Sequence, residues 1–257
     1  MPELAQLQLI SLPGIPLIQS GDDLAAITHA ALVRAGLRLR AGDVLVYAQK
    51  IVSKAEGRQV DLATVTPGAR ARELAVLVNK DPRLIELVLR ESRRVVRTAK
   101  DVLIVEHRLG LIMANAGIDQ SNVADPKHGE FALLLPANPD ASAARLQRAL
   151  QPQTGGAIAV IISDSFGRPW RVGTVGVAIG CAGVASARDL RGRRDMFGRT
   201  LKVTIVGHAD ELASAASLLM GQGSEARPVV LVRGLPPEQH PTVASTLLRP
   251  AAEDLFR

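Results

Sequence analysis

"VIISDSFGRPWRVG", residues 160–173, carries an apolar β-branched run straight into an aspartate and a serine, then into a Gly/Pro turn flanked by arginines. Valine and isoleucine favour strands because their branched side chains pack well on a pleated surface. A short apolar run closed by turn residues reads as a buried strand. Its end delivers Asp164 and Ser165, and the turn through Phe166, Gly167, Arg168, Pro169 and Trp170 comes at once. A carboxylate on a rigid strand end can be aimed more accurately than one on a loop.

A second stretch repeats the design. "GLIMANAGIDQSN" places Asp119 after an apolar run and small residues, with Asn122 three positions further on. Two aspartates, a hydroxyl and amides make a hard oxygen set, suited to Mg²⁺ or Mn²⁺ rather than zinc. Aspartate also caps turns with no ligand involved. Spacing alone leaves both readings open.

Working outward, "SGDDLAAITHAALVRAGL" (20–37) has helical periodicity, with Ser20 and Asp23 where a capping box would sit. "AGDVLVYAQKIVSKAEG" (41–57) reads as a strand running into a basic loop, with Lys54 a phosphate partner or a solvated lysine. Residues 70–92 read as helix broken at "KDPR", because proline disfavours helix in the residue before it. Residues 95–123 are strand-rich, and 131–150 read as strand, turn and helix with Asp140 as candidate N-cap. After the glycine-punctuated segment 175–184, a helix is expected over 208–221, ending at Gly221, and a strand over 227–234. Strands and helices mix without regular alternation. The expected class is therefore α+β, with mixed sheets and flanking helices, rather than a regular Rossmann or P-loop fold. Lobe boundaries are not legible.

Composition narrows the function. The chain has 257 residues, 47% of them apolar and 22% charged, enough for a large core. Aromatics at 2% leave a single-strand nucleic-acid binder without stacking faces. The single cysteine, Cys181, excludes an internal disulfide and a cysteine zinc site. No signal peptide and no membrane-spanning apolar run are read, so a cytoplasmic protein binding neither membrane nor nucleic acid is expected. The net charge of +6 gathers in clusters such as "RDLRGRRDMFGR", which read as solvated faces or as contacts to an anionic small molecule. "GRRDMFGRT" has the wrong spacing for a Walker A loop. His29, His107, His128, His208 and His240 show no metal-ligand spacing, and His208 reads as structural.

"GIPLI", "QKIVSKAEGR", "LIMANAGIDQSNV", "SDSFGRPWRVGTVGVAIGCAG", "RDLRGRRDMFGRTLKVT", "ADELASAASLLMGQ" and "LLRPAAEDLFR" succeed one another along the chain. Together they resemble the coenzyme F-420-0:L-glutamate ligase family, the γ-glutamyl ligases of deazaflavin cofactor biosynthesis. The resemblance covers essentially residues 1–257 as one catalytic unit, without the C-terminal flavin domain of some relatives. It implies a GTP-dependent ligase that adds L-glutamate to F-420-0 and extends a γ-linked tail through an acyl phosphate.

It further implies an intertwined two-lobed homodimer, two divalent ions and a monovalent cation such as K⁺. Asp119 and Asp164 would hold the first metal, and Ser165 and Gln222 the second. The nucleotide would meet Ile15, Pro16, Leu17, Ile18, Gln49, Lys54 and Asn122. It would also meet the loop Met220, Gly221, Gln222, Gly223, Ser224, Glu225, Ala226 and Arg227. Gln49 stands where relatives often carry a hydroxyl residue, and Ser165 where they usually carry threonine. Independently of the resemblance, Arg168 and Arg171 could clamp an acidic substrate bidentately. No general base is assigned. The competing classes are another metal-dependent nucleotide hydrolase or phosphotransferase, and a non-enzymatic basic binding protein.

Overall fold

A computed structural model describes residues 5–123, 127 and 129–255; His128 and the last two residues of "LLRPAAEDLFR" lie outside these. In chain order the elements are β1 (Gln8–Ser11), α1 (Leu24–Arg34), β2 (Val44–Ala48), α2 (Gln49–Ala55), β3 (Gln59–Asp61), α3 (Ala69–Val78), α4 (Pro82–Arg90), β4 (Ser92–Ala99), β5 (Val102–His107), β6 (Ile112–Ala114) and β7 (Phe131–Leu133). Next come α5 (Pro139–Leu150), β8 (Ala159–Arg168), β9 (Arg171–Ala182), β10 (Arg188–Asp189), β11 (Ile205–Val206), α6 (His208–Met220) and β12 (Val229–Arg233). The class is α+β, as expected.

The frame is a five-stranded sheet in the order β1-β12-β2-β8-β9. Only β2 and β8 run parallel within it, with Val44 opposite Ala159 and Ala48 opposite Ser163. The other pairings are antiparallel. One face of the sheet presents Leu45, Tyr47, Val160 and Ile162 to a core completed by α1 and α5. The other presents Val44, Val46, Ile161 and Val230 to α6. Strands buried on both faces read as continuous apolar runs rather than alternating ones. That is why "VLVY", "AVII" and "VVLV" look alike in the sequence.

A second core lies outside this sheet. Helices α3 and α4 pack through Leu74, Val78, Ile85 and Val88 against Leu103 and Val105 of the sheet β4-β5-β6. Buried Glu91, at the C-terminus of α4, accepts from Arg58 at 2.9 Å and Arg108 at 2.6 Å. Burial alone would raise its carboxyl; His107, Arg108 and Arg58 outweigh that and hold it down at about 2.

Four local expectations need correction. The segment after β2 is the helix α2, not a basic loop, so Lys50 and Lys54 stand one turn apart on one face. The strand from Ala159 does not stop at Asp164. It continues to Arg168 and turns at Pro169-Trp170 into β9, making one long hairpin. Trp170 takes a φ of 64°, the left-handed position that usually selects glycine or asparagine. Asn138, not Asp140, caps α5, because Pro139 fits the first helical position and Asp140 falls inside the helix. Asp140 instead accepts the backbone N–H groups of Cys181 and Ala244. Asp23 caps α1 through the N–H groups of Ala25 and Ala26, and Ser20 lies outside that cap.

The N-terminus of α5 sits directly on β9. A Cβ placed on Gly180 would come within 2.4 Å of the Pro139 carbonyl oxygen. Backbone cannot yield there as a flexible side chain would. Gly180→Ala is therefore expected to cost about 1–3 kcal/mol, as overpacking does. Thermal or urea denaturation reads this directly, and an unchanged midpoint would contradict the close approach.

Candidate active site

The sheet topology gathers loops at one edge. The carboxyl ends of β1, β2 and β8 and the amino ends of β12 and β9 all lie there, as the pairing directions require. The backbone ties these loops together: Leu12 N–H donates to the Val229 carbonyl, and Ala48 N–H to the Pro228 carbonyl. In open sheets ligands bind outside the carboxyl ends of parallel strands. Ile15, Pro16, Leu17 and Ile18 come after β1 at this edge; Ile18 is buried in the core, whereas Leu17 is 87% exposed. Residues 221–227 precede β12 at the same edge.

Asp119 arrives from the second core. It leaves a turn in which Asn115, Ala116 and Gly117 have φ of 51°, 54° and 65°. Consecutive left-handed residues are costly and persist only where packing fixes them. Here Ala116 is fully buried, and a Cβ on Gly117 would meet the Met113 methyl at 2.6 Å. Past the turn, Asp119 exchanges backbone hydrogen bonds with Leu133. Its side chain meets α2: Gln49 Nε2 donates to Oδ2 at 3.1 Å, and Lys50 Nζ lies 3.1 Å from the same oxygen. Ser53 Oγ donates to Gln49 Oε1 at 2.9 Å, which turns the buried amide so that its NH₂ faces the carboxylate.

Asp164 sits opposite Val177 in the hairpin. Burial, and after it the Asp119 carboxylate, push its carboxyl up to about 7, against opposing help from the Ser165 N–H and Lys50. The two aspartates named from sequence are thus electrostatic neighbours. Alternation along β8 puts Asp164 on the face of Val160 and Ile162, and Ser165 on the α6 face. Ser165 pairs with Gly176, whose carbonyl accepts from Ser214 of α6. Gln222 lies just past the C-terminus of that helix and is exposed. The four expected metal ligands are therefore divided between the two sides of one strand.

The nucleotide candidates are linked as well. Lys54 Nζ donates to the Asn122 carbonyl at 2.8 Å, and Asn122 Nδ2 to the Gly223 carbonyl at 3.0 Å. Desolvation, then Lys50, lowers the Lys54 pKa. Gly221 ends α6 with a φ of 70°, and the Glu225 carboxylate folds back over it to accept the Gly223 N–H at 2.8 Å. Ser224, Ala226 and Arg227 are exposed. Arg168 and Arg171 face each other across the hairpin. Arg168 Nη1 is buried without a hydrogen-bond acceptor among the described residues.

Two contributors were not singled out from the sequence, Lys50 and Ser121. Lys50 reaches Asp119, and the carbonyl and hydroxyl of Ser121 accept from it at 3.1 and 3.2 Å. The signal was the four-residue spacing of Lys50 and Lys54, which has meaning only on a helix.

The residues fit a hard divalent ion. Among the described residues no three His, Cys, Asp or Glu side chains form a metal cluster. The carboxylate oxygens of Asp119 and Asp164 are hard donors of the kind Mg²⁺ accepts together with substrate oxygens, and Ser165 and Gln222 offer oxygens on the other side of the strand. The family model for F420-0:Gamma-glutamyl ligase matches residues 14–234. The chain belongs to this F420-0:gamma-glutamyl ligase family. Among curated members, the coenzyme F420:L-glutamate ligase of Methanothermobacter thermautotrophicus is 46% identical over 253 residues, covering 98% of this chain and 99% of the relative. That of Methanopyrus kandleri is 45% identical, covering 93% of each. That of Halorubrum lacusprofundi is 44% identical, covering 88% of this chain and 87% of the relative. A gamma-glutamyl ligase forms amide bonds, so the protein is read as an enzyme rather than a passive basic binder. Among the described residues no helix is long and apolar enough to cross a membrane.

Asn122 links the Asp119 loop to residues 221–227 by a single side chain. Asn122→Ala removes one hydrogen bond, worth about 0.5–1.5 kcal/mol. Amide exchange across 221–226 is expected to accelerate several-fold while the global melting temperature stays within a few degrees. Unchanged exchange would show that this link does not hold the loop.

Proposed function

We propose that the protein is a GTP-dependent ligase that joins L-glutamate to F420-0 and extends a γ-linked glutamate tail. The observation that supports this reading is the contact of Asp119 with Lys50, and of the Asp119 loop with Lys54, at the sheet edge to which the parallel strands β2 and β8 also bring Asp164.

The chemistry explains the need for such a place. A carboxylate does not expel oxide near neutral pH, so it must first be converted to a better leaving group. Transfer of the γ-phosphoryl group to the acceptor carboxylate makes an acyl phosphate and releases GDP. The glutamate amine then attacks the acyl carbon, the C–O bond breaks, phosphate leaves and the amine gives up its proton. Divalent ions, Mg²⁺ or Mn²⁺, held by Asp119 and Asp164 and by Ser165 and Gln222, would neutralise polyphosphate charge and align the reacting oxygens. Lys54 and Asn122 hold the nucleotide side, with the backbone of residues 15–18 and 220–227 around it. The buried, unaccepted N–H of Arg168 seeks an anion, which supports Arg168 with Arg171 as the clamp for an acidic substrate.

Asp164→Asn is expected to abolish glutamate addition with an unchanged circular dichroism spectrum. The wild-type protein, F420-0, GTP, Mn²⁺ and glutamate should give products heavier by glutamyl increments in mass spectrometry. GDP release that ignores glutamate and F420-0 would favour a plain nucleotide hydrolase or phosphotransferase instead.

The active unit is proposed to be a homodimer. Val172, Met196, Phe197 and Val203 are each more than four-fifths exposed, on the β8–β9 hairpin and in residues 189–204. We take this concentration of exposed apolar side chains in two segments as a surface that a partner covers. Met196→Ser with Phe197→Ser should shift the mass measured by light scattering from dimer toward monomer. A wild-type monomer at micromolar concentration would overturn the assignment.

A further inference from the structure

Lys50 stands where a cation belongs. Its ammonium lies 3.1 Å from Asp119 Oδ2 and also donates to the Ser121 carbonyl and hydroxyl. Gln49 donates to the same oxygen with an amide held in place by Ser53. The chain therefore supplies Asp119 with a counter-charge of its own, carried on a flexible four-carbon stem.

We propose that Lys50 is a displaceable internal counter-ion of the metal site: an ion entering between Asp119 and Asp164 must first drive its ammonium off Asp119. This rests on the reading of those aspartates as metal ligands. Both cations cannot share one carboxylate oxygen without strong like-charge repulsion. Lys50 has somewhere to go, because the carbonyl and hydroxyl of Ser121 already accept from it. The consequence is a site that binds a bare ion weakly. It is filled best by an ion that arrives with an anionic ligand able to receive the released ammonium. Lys50 is thus a positioning residue that keeps Asp119 aimed while the site is empty and sets the threshold for metal entry.

The test is Mn²⁺ binding alone, read by electron paramagnetic resonance of the free ion, with no nucleotide, F420-0 or glutamate present. Removing a competing charge should tighten binding, whereas damage to a structural contact would weaken it. Lys50 and Asp119 are partly exposed, so the expected gain for Lys50→Met is modest, about three- to tenfold. Lys50→Arg should stay near wild type, because the charge remains. Lys54→Met should change the affinity less than Lys50→Met, because Lys54 donates to a carbonyl and not to a carboxylate. Equal or weaker Mn²⁺ binding by Lys50→Met would overturn the proposal, as would the absence of Mn²⁺ binding by every variant. Because the assay contains no reaction, a failed ligase assay with tightened Mn²⁺ binding would sink the function and leave this inference standing.

Discussion

The parallel pairing of β2 with β8 is the constraint on which the molecule depends. Two strands joined by more than a hundred residues of intervening chain must end at the same edge. The segments leaving the two strands are thereby brought together. After β2 comes α2 with Gln49, Lys50 and Lys54, and toward the end of β8 comes Asp164. A reversed β8 would leave the same residues at opposite ends of the sheet. The intervening chain is also what builds the second core, so the long excursion and the site share one cause. The Asp119 loop is the return from that excursion, and α2 is the element it lands on.

Electrostatics sets this edge apart from the rest of the sheet. Two carboxylates held near one another resist joint ionisation, and burial makes the resistance larger. A protein that needed only a fold would have no reason to keep that arrangement. Here the cost is partly offset by donors aimed at the carboxylates: Lys50 and Gln49 at Asp119, and the Ser165 N–H at Asp164. The Ser53 hydroxyl orients the Gln49 amide, and the left-handed turn at residues 115–117 fixes the approach of Asp119.

Much of this was legible in the order of residues. The apolar runs at 44–48, 159–162 and 229–232 announced buried strands, and "MANAGID" and "SDSFGRPW" announced the two acidic ends. Three features were not legible, each for a physical reason. The helical state of "QKIVSKA" was hidden because its β-branched residues are weak helix formers and its stability comes from packing Ile51 and Val52 into the core. The continuation of β8 past Asp164 was hidden because the polar residues there suggest a turn, whereas the cross-strand partners on β9 supply what the segment lacks. The reach of Lys50 to Asp119 depends on a contact distant in the chain, and local periodicity carries no information about it.

The edge strand β9 has a further consequence. An uncovered outermost strand is a template on which another chain can add, and repetition of that step leads to open-ended aggregates. In this sheet the N–H groups of Ala178 and Cys181 are taken by the Asp210 and Asp140 carboxylates, and the Gly176 carbonyl by Ser214. The side chains of two different helices thus close the ladder from both faces. Growth by strand addition is thereby hindered over residues 176–181, the stretch of this margin that the two helices cover.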